Sequence, residues 1–186
     1  MLDLRAIDAD WTLFLDRDGV INREKRDDYI RDAGEFEFLH GVPDALRALA
    51  AVFARIIVVT NQRGVGRGLM TQAQLDEIHA RMTADIERAG GRIDATYWCT
   101  STDPHHPDRK PNPGMAWQAR RAMPAIDFAR SVMVGNSMSD MAFGRNAGMH
   151  TVFVTSTHPD QALPHDDVDA AFDDLPAFVE ALRAAR

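Results

Sequence analysis

The chain has 186 residues, of which 45% are hydrophobic, so it can bury one sizeable core, and a single domain over residues 1–186 is expected. A formal net charge of -7 and a pI near 5.4 do not suit nucleic acid as the main partner, because such partners reward a basic surface. The first residues are acidic where a secretory signal would be basic and apolar, and no later apolar stretch would span a bilayer, which predicts a cytoplasmic protein with no membrane partner.

Five short runs rich in apolar and β-branched residues alternate with helical patterns along the chain. They lie at residues 11–16, 55–61, 95–100, 131–136 and 150–155. Most of these runs are continuously apolar, which is typical of strands covered on both faces. The pattern therefore predicts a parallel sheet.

Apolar residues recur at helical spacing between these strands. The clearest helix spans residues 71–91, where Thr71 and Gln74 match a capping box and Gly90 ends the pattern. Further helices are predicted at residues 41–53, 113–123, 139–148 and 174–186. Alternation of strands and helices predicts a doubly wound, Rossmann-like α/β fold, with any site at the carboxyl ends of the strands.

Two aspartates stand where the first predicted strand ends. The stretch FLDRDGVIN, residues 14–22, places Asp16 and Asp18 one residue apart and follows them with Gly19. Alone, this pattern fits a solvated turn, for which Asp and Gly supply the chemistry, as well as it fits a catalytic pair. The later segments decide between the two.

Three further polar clusters end predicted strands or begin predicted helices. They are Thr60 with Asn61, Arg109 with Lys110, and the segment GNSMSD with Asn136 and Asp140. Each has a simple structural explanation, as a strand-ending turn, a solvated charge or a helix cap. Together they supply a carboxylate pair, a hydroxyl, a lysine and a late acid, in an order that indicates a phosphoryl-transfer site.

Four motifs in this order resemble those of the haloacid-dehalogenase (HAD) superfamily of phosphatases. They are DRDGV (16–20), VVTNQ (58–62), RKP (109–111) and VGNSMSD (134–140). Within the superfamily the chain is most similar to the D-glycero-D-manno-heptose 1,7-bisphosphate 7-phosphatases and the related histidinol-phosphate phosphatases, through LDRDGVIN, FEFLHGVPDAL, TNQRGVGRGLMTQAQLDEIHARM and RKPNPGM. The similarity runs from Phe14 to about Thr155, and it implies a HAD-like sheet without a large cap domain.

The resemblance implies a role for each central residue. Asp16 would attack phosphorus to form an aspartyl-phosphate, and Asp18 would act first as general acid and then as general base. Asp16 would then have to stay ionised against a magnesium ion while Asp18 is able to hold a proton, so their surroundings should push the two pKa values apart. Thr60 and Lys110 would hold the phosphoryl oxygens.

Magnesium is the cofactor that the resemblance implies. Its ligands would be Asp16, the Asp18 carbonyl, a phosphate oxygen and a side chain of the last motif, where Asn136 stands in place of the usual aspartate and Asp140 contributes through water. This departure favours a second interpretation, in which the chain is a catalytically weak protein that binds a phosphorylated metabolite.

The resemblance also implies which residues around the phosphate site would select the substrate. Gly19 lets the backbone approach the transferred group, Asn61 and Arg109 reach the substrate, and Arg63 and Arg67 add positive charge that suits an anionic sugar phosphate. Arg63 occupies a position where the family usually has a smaller residue. The expected substrate is heptose 1,7-bisphosphate, with histidinol phosphate as the alternative.

Zinc is not expected, although many relatives carry a zinc loop before the RKP motif. Here the region reads CTSTDPHHPDRKP, so Cys99 remains, Ser101 replaces a histidine, and the second cysteine pair is missing. Cys99 with His105 and His106 gives three ligands without a clear fourth, which is a poor structural site. A single cysteine also allows no internal disulfide.

Overall fold

The structure is a computed structural model that describes residues 2–25 and 28–186. Its centre is a sheet of parallel strands in the order β3-β2-β1-β4-β5-β6. The strands are β1 (Thr12–Leu15), β2 (Arg55–Asn61), β3 (Ala95–Cys99), β4 (Ser131–Gly135), β5 (His150–Val154) and β6 (Ala170–Phe172). The five predicted strands are confirmed, and β6 is an addition at the edge of the sheet.

The helices follow the predicted pattern closely. They are α1 (Val42–Ala50), α2 (Arg63–Gly66), α3 (Gln72–Arg88), α4 (Gly114–Ala122), α5 (Met138–Ala147) and α6 (Leu175–Ala184). The capping box of α3 is confirmed, since Thr71 accepts from the Gln74 backbone while the Gln74 side chain accepts from the Thr71 backbone. The four-residue helix α2 was not predicted.

Two separate cores show that the sheet is covered on both faces. Leu13 and Leu15 of β1 point into one core, which α1, α3 and α6 cover, whereas Phe14 points into the other, which α4 and α5 cover. Because successive side chains of a strand alternate between faces, a buried strand must be apolar throughout. The continuous apolar runs of the sequence follow from this arrangement.

The direction in which successive strands are added to the sheet changes between β1 and β4, next to Asp16. Chain connections lead from β1 outward to β2 and β3 on one side, and from β4 outward to β5 and β6 on the other. In an open parallel sheet such a switch point leaves a crevice at the carboxyl ends of the strands. Within residues 2–25 and 28–186, no segment builds a large cap domain over that crevice, and no helix is long and apolar enough to cross a membrane.

Candidate active site

Asp16 and Lys110 form the buried centre of the crevice. The backbone N–H of Asp16 donates to the Val134 carbonyl at 3.0 Å, which extends the pairing of β1 with β4 by one residue. The Lys110 ammonium donates to Asp16 Oδ1 at 2.7 Å and to the Val59 carbonyl at 2.9 Å. It also lies 2.7 Å from Asp140 Oδ1, so one cation serves two carboxylates.

Burial dominates the acid-base behaviour of this centre. It raises the pKa of Asp16 to about 7 against the opposing charge of Lys110, and the nearby carboxylates of Asp140 and Asp18 add to the rise. Burial acts in the other direction on Lys110, but Asp140 and Asp16 outweigh it and raise the pKa of the ammonium. Lys110 is therefore a permanent cation, and a divalent cation beside Asp16 would favour the ionised carboxylate.

The carboxylate of Asp18 is held by donors from three side chains. Arg17 Nη2 donates to both of its oxygens at 2.9 and 3.0 Å, Asn22 Nδ2 donates to Oδ1 at 2.9 Å, and Gln62 Nε2 donates to Oδ2 at 2.8 Å. Burial opposes ionisation of Asp18, but Arg17 and these hydrogen bonds outweigh it and lower the pKa. The resting state of Asp18 is an anion with its acceptors occupied.

The surroundings of the two carboxyl groups push their pKa values apart. Without a cation, burial raises the pKa of Asp16, while the Arg17 guanidinium and the other donors lower that of Asp18 in spite of its burial. The prediction of an ionised Asp16 and a protonated Asp18 concerns the protein with magnesium bound, and for that state it stays a prediction.

The end of β2 supplies Thr60 and Asn61. Asn61 exchanges two hydrogen bonds with the backbone of Lys110: its amide donates to the Lys110 carbonyl at 3.2 Å and accepts from the Lys110 N–H at 3.1 Å. Thr60 is buried, and its hydroxyl accepts from Gln62 Nε2 at 2.9 Å. Asn61 therefore fixes the segment that carries Lys110, while Thr60 lies at the same end of the sheet.

Gly19 and Asn136 are packed directly against each other. Gly19 has φ +85°, and a Cβ placed on it would lie 2.0 Å from Asn136 Nδ2. Both its conformation and this approach require glycine. The backbone N–H of Gly19 donates to the Asn22 carbonyl at 2.7 Å. The side chain that lies against its Cα is that of Asn136, in the motif VGNSMSD.

The amide of Asn136 is oriented by two acceptors. Its Nδ2 donates to Thr157 Oγ1 at 2.6 Å and lies 3.4 Å from Glu24 Oε2. The Glu24 carboxylate can only accept, which assigns the nitrogen to this side and leaves Oδ1 for another partner. Ser137, and not Asn136, is the N-cap of α5, so the simple helix-cap explanation of Asn136 does not hold.

Both carboxylate oxygens of Asp140 face partners within the protein. Its Oδ2 accepts from the backbone N–H of Ser137 at 3.1 Å and from the Ser137 hydroxyl at 2.7 Å, completing a capping box. Its Oδ1 faces the Lys110 ammonium. Asp140 is almost fully buried, so any contribution to a metal ion would pass through other groups.

Two adjoining cavities open over these residues. The inner one, of about 250 Å³, is lined by Asp16, Thr60, Lys110 and Asn136 among others. The outer one, of about 400 Å³, continues from Asp18 to Tyr29, Arg63 and Arg109. Asp18, Asn61, Arg63 and Lys110 line both cavities, so a molecule that enters the outer cavity can reach the aspartates.

The outer cavity is lined by basic and acidic side chains, namely Lys25, Arg63, Arg109 and Lys110 with Asp18, Glu24 and Asp28. Burial, and then the nearby charge of Arg63, lower the pKa of Arg109. In the described part of the chain, neither Arg63 nor Arg109 forms an ion pair with a carboxylate, although Arg109 Nη1 donates to the Ser101 carbonyl at 3.4 Å. Arg67 lies over the Tyr29 ring, 5.9 Å from its centre. Arg63 and Arg109 are therefore available to an anionic ligand.

The oxygen donors of the inner cavity suit magnesium. Asp16 and Asn136 line it together, and carboxylate, amide and carbonyl oxygens are the ligands that this hard cation prefers. Among the described residues no three His, Cys, Asp or Glu side chains are grouped as a metal cluster. A cation here would therefore draw on the Asn136 amide and on backbone or phosphate oxygens as well as on Asp16.

Cys99 and His106 lie close together in the segment between β3 and Lys110. The Cys99 sulfur lies 3.6 Å from His106 Nδ1, which also accepts from the backbone N–H of Asp108 at 3.2 Å. Burial raises the pKa of the Cys99 thiol, which disfavours the thiolate that a metal needs. His105 contributes no side-chain contact to this pair, and its backbone N–H donates to Asp103.

Sequence reasoning missed several residues that organise the site. Arg17, Gln62 and His79 surround Asp18, and Glu24 and Thr157 orient Asn136. The quoted motifs contained Arg17 and Gln62, and their position beside the assigned residues was the available signal. Nothing in the local sequence connects His79, 62 residues further on, with Arg17.

The chain is similar to known phosphatases over nearly its whole length. A family model described as HAD-hydrolase-like matches residues 108–178. The D-glycero-alpha-D-manno-heptose-1,7-bisphosphate 7-phosphatase of Mycobacterium bovis is 38% identical over 181 residues, covering 95% of this chain and 93% of that protein. The corresponding beta-heptose enzyme of Escherichia coli K12 is 36% identical over 157 residues, covering 78% of each chain.

Solved structures agree with this result. The D,D-heptose 1,7-bisphosphate phosphatase of B. bronchiseptica, solved with magnesium and phosphate, superposes with a TM-score of 0.83 at 30% identity, covering 95% of this chain and 99% of that one. A putative HAD-like phosphatase from Mesorhizobium loti superposes with a TM-score of 0.76 at 28% identity, covering 96% of this chain and 88% of that one.

Proposed function

The chain belongs to the HAD-superfamily phosphatases, in the family of the heptose 1,7-bisphosphate 7-phosphatases, and from this membership we propose that it removes the 7-phosphate of D-glycero-D-manno-heptose 1,7-bisphosphate in the cytoplasm. We treat residues 1–186 as one phosphatase domain with no nucleic-acid or membrane partner. The observation that carries the proposal is the buried Lys110 ammonium, 2.7 Å from Asp16 at the switch point of the sheet. A cation so placed can offset charge both on an attacking carboxylate and on a phosphoryl group.

In the first step, Asp16 attacks phosphorus. Lys110 binds Oδ1, which leaves Oδ2 as the oxygen without a side-chain donor and therefore as the nucleophile. A bond forms between Oδ2 and phosphorus while the bond from phosphorus to the sugar oxygen breaks. Asp18, which first takes up a proton from solvent as the substrate binds, gives that proton to the sugar oxygen. The products are an aspartyl-phosphate and a free hydroxyl group on the sugar.

In the second step, water attacks the phosphorus of the aspartyl-phosphate. Asp18, now a carboxylate, accepts a proton from this water, and the bond from phosphorus to Asp16 breaks to release inorganic phosphate. The donors around Asp18 favour its anionic form and so favour this second role. Thr60 and Lys110 lie where they can hold the phosphoryl oxygens in both steps.

Magnesium is part of the proposal. Asp16, the Asp18 carbonyl and Asn136 would hold it, with Asp140 contributing indirectly through Lys110 or water. When bound, the cation neutralises charge on the phosphoryl group and keeps Asp16 ionised.

Arg63 and Arg109 favour the bisphosphate over other phosphomonoesters. A second phosphate in the outer cavity would meet two guanidinium groups that have no carboxylate partner. Histidinol phosphate would instead bring an ammonium group to the same place, which like charges disfavour. Gly19, Asn61 and Arg67 complete the proposed substrate surroundings.

A panel of phosphorylated metabolites tests the proposal. It contains both anomers of heptose 1,7-bisphosphate, heptose 7-phosphate and histidinol phosphate, each scored for phosphate release with Mg²⁺. We expect the highest kcat/KM for one heptose bisphosphate, and Asp16→Asn should remove turnover while leaving the fold intact, because an amide cannot form the acyl-phosphate. Highest activity on histidinol phosphate would transfer the assignment to that reaction. Tight binding without turnover would support the weakly catalytic alternative, and near-normal turnover by Asp16→Asn would overturn the mechanism.

A further inference from the structure

Arg17 is a completely buried guanidinium at the catalytic centre. It follows β1 directly, between the two aspartates, and is among the largest side chains that are entirely enclosed. One edge of its fork, Nε and Nη2, faces Asp18, with Nη2 donating to both carboxylate oxygens at 2.9 and 3.0 Å. A buried charge is tolerated only when its donors are satisfied, so the partner of the other nitrogen matters.

That partner is His79. Arg17 Nη1 lies 3.2 Å from His79 Nε2, and because arginine can only donate, the imidazole nitrogen must accept. His79 is thus neutral, with its proton on Nδ1. Burial and the neighbouring charge of Arg17 agree, since they lower the pKa of His79 to about 4.

The imidazole ring is itself held in place. His79 lies on α3, whose capping box fixes its start, and it is buried on the face that packs against the sheet. The ring of Trp98 on β3 covers it, with ring centres 5.2 Å apart. Two elements that carry none of the assigned catalytic residues therefore determine where the Arg17 guanidinium lies.

Asp18 exchanges a proton first with the leaving group and then with water, and Arg17 sets where its carboxyl group lies in both roles. One guanidinium nitrogen donates to both carboxylate oxygens, so a shift of the guanidinium would move the oxygen that transfers the proton. How firmly the guanidinium is held therefore sets how well Asp18 is aligned for proton transfer.

We propose that His79 is a positioning residue for proton transfer, which holds Arg17 through Nη1 and thereby fixes the alignment of the Asp18 carboxylate. The proposal rests on the proposed phosphatase function. A merely structural role for His79 would change stability and all reactions alike, whereas a positioning role affects the reactions that need a proton.

The test compares two leaving groups in single-turnover reactions with enzyme in excess and Mg²⁺ present, which isolates the first step. Release of a sugar alkoxide from heptose bisphosphate needs a general acid, whereas release of p-nitrophenolate from p-nitrophenyl phosphate needs little proton transfer. We expect His79→Leu to slow the sugar reaction by about 10- to 100-fold, within the usual contribution of general acid catalysis, and the aryl reaction by less than about threefold. KM for the sugar should stay unchanged.

Rescue and control variants complete the design. The side chain of His79→Gln can present an acceptor at the position of Nε2 and should restore most of the rate with the sugar substrate. The shorter side chain of His79→Asn should not restore this rate. If His79→Leu does not fold, His79→Asn is used in its place. Met82→Ala, a buried position one turn along α3, should lower the melting temperature without changing the ratio of the two rates.

The outcomes separate the proposals. Equal slowing of both reactions, no slowing of either, or equal behaviour of the Gln and Asn variants would overturn the role of His79. A wild-type protein that hydrolyses neither substrate would instead overturn the proposed function.

Discussion

At the scale of single residues, some charged side chains of the site pair with one another, whereas others have no carboxylate partner. Lys110 pairs with Asp16 and with Asp140. Arg17 pairs with Asp18 and donates to His79. Arg63 and Arg109 are different, because they line the outer cavity beside each other. The two paired groups are therefore proposed to carry out phosphoryl transfer, and Arg63 and Arg109 to bind a second phosphate of the substrate.

Arg63→Ser should weaken recognition of a second phosphate. We expect KM for heptose 1,7-bisphosphate to rise about tenfold, equivalent to about 1.4 kcal/mol, with a much smaller effect on heptose 7-phosphate, because only the bisphosphate places an extra anion near the lost guanidinium. Steady-state kinetics on both substrates measure this. Arg23→Ser is the matched control, since Arg23 is exposed and pairs with Glu37. Equal effects of Arg63→Ser on both substrates would remove Arg63 from phosphate recognition.

Asn136→Asp should strengthen magnesium binding. Unit charges about 4 Å apart interact by roughly 4 kcal/mol at an effective dielectric near 20, so a new carboxylate should lower the Mg²⁺ concentration for half-maximal activity. Asp140→Ala should raise it, because Lys110 then loses one of its two carboxylate partners. Titrating Mg²⁺ by calorimetry and by phosphate release measures both changes.

The control for charge is Ala73→Asp, at an exposed position in the first turn of α3. It adds the same charge away from the cavities and should leave the midpoint unchanged. An unchanged midpoint in both Asn136→Asp and Asp140→Ala would remove these residues from the metal site.

At the scale of elements, the loop after β1 is shaped by glycine. Gly19 and Gly68 both have positive φ, but only at Gly19 would a Cβ meet another side chain, since nothing lies within 4 Å of the corresponding position at Gly68. Glycine at position 19 is therefore required both by the turn of this loop and by its contact with Asn136.

Gly19→Ala and Gly68→Ala form a matched pair. We expect Gly68→Ala to lower the free energy of unfolding by about 1 kcal/mol, the usual cost of a left-handed conformation for an L-residue. Gly19→Ala should cost more and should also weaken Mg²⁺ binding, because the new methyl group displaces Asn136. Urea denaturation and calorimetry measure the two effects. Equal stability loss with unchanged Mg²⁺ affinity would show that the contact is not needed.

The elements that the sequence predicted are those whose pattern is local. Apolar runs identified strands β1 to β5, and the Thr71 capping box identified the start of α3. Strand β6 has only three residues, none of them fully buried, so its pairing depends on the free edge of β5. Helix α2 is a four-residue turn with two glycines, and glycine disfavours a helix.

The same distinction applies to the site. Asp16, Asp18, Thr60 and Lys110 could be assigned because strand ends in a parallel sheet meet at one edge. The burial of Arg17 and the direction of the two pKa values could not, because they depend on contacts that form only in the folded chain. His79 reaches Arg17, and Gln62 reaches Asp18.

At the scale of the whole molecule, the raised pKa of Asp16 links folding to pH. A carboxyl group with a pKa of about 7 in the folded protein and 3.8 as the ordinary value takes up a proton on folding between these limits. The folded state then binds more protons than the unfolded state, so the free energy of unfolding falls as pH rises through this window.

We therefore expect the metal-free wild type to lose stability relative to Asp16→Asn as pH rises from about 4 to about 7. Urea unfolding in a chelating buffer at several pH values measures the difference, and Asp44→Asn, at an exposed position on α1, controls for the loss of a carboxylate. Parallel stability curves for wild type and Asp16→Asn would contradict the burial argument.

The purified protein should contain no stoichiometric zinc. Cys99 lacks the partners of a tetrahedral site, and its thiol is disposed to stay protonated. Elemental analysis measures the metal content. One zinc per chain, lost together with thermal stability in Cys99→Ser, would show that His105 and His106 rebuild the site.

The contact between His79 and Trp98 also gives the protein an optical signal of its own. Of its three tryptophans, Trp98 covers the imidazole that holds Arg17, whereas Trp117 packs against Phe128 with ring centres 5.1 Å apart. The neutral His79 ring is part of the packing around the Trp98 indole, and indole emission depends on such packing. The difference in fluorescence between the wild type and Trp98→Phe therefore reports changes in this contact without any added dye, and it lets movement of the side chains behind Asp18 be timed in a stopped-flow spectrometer.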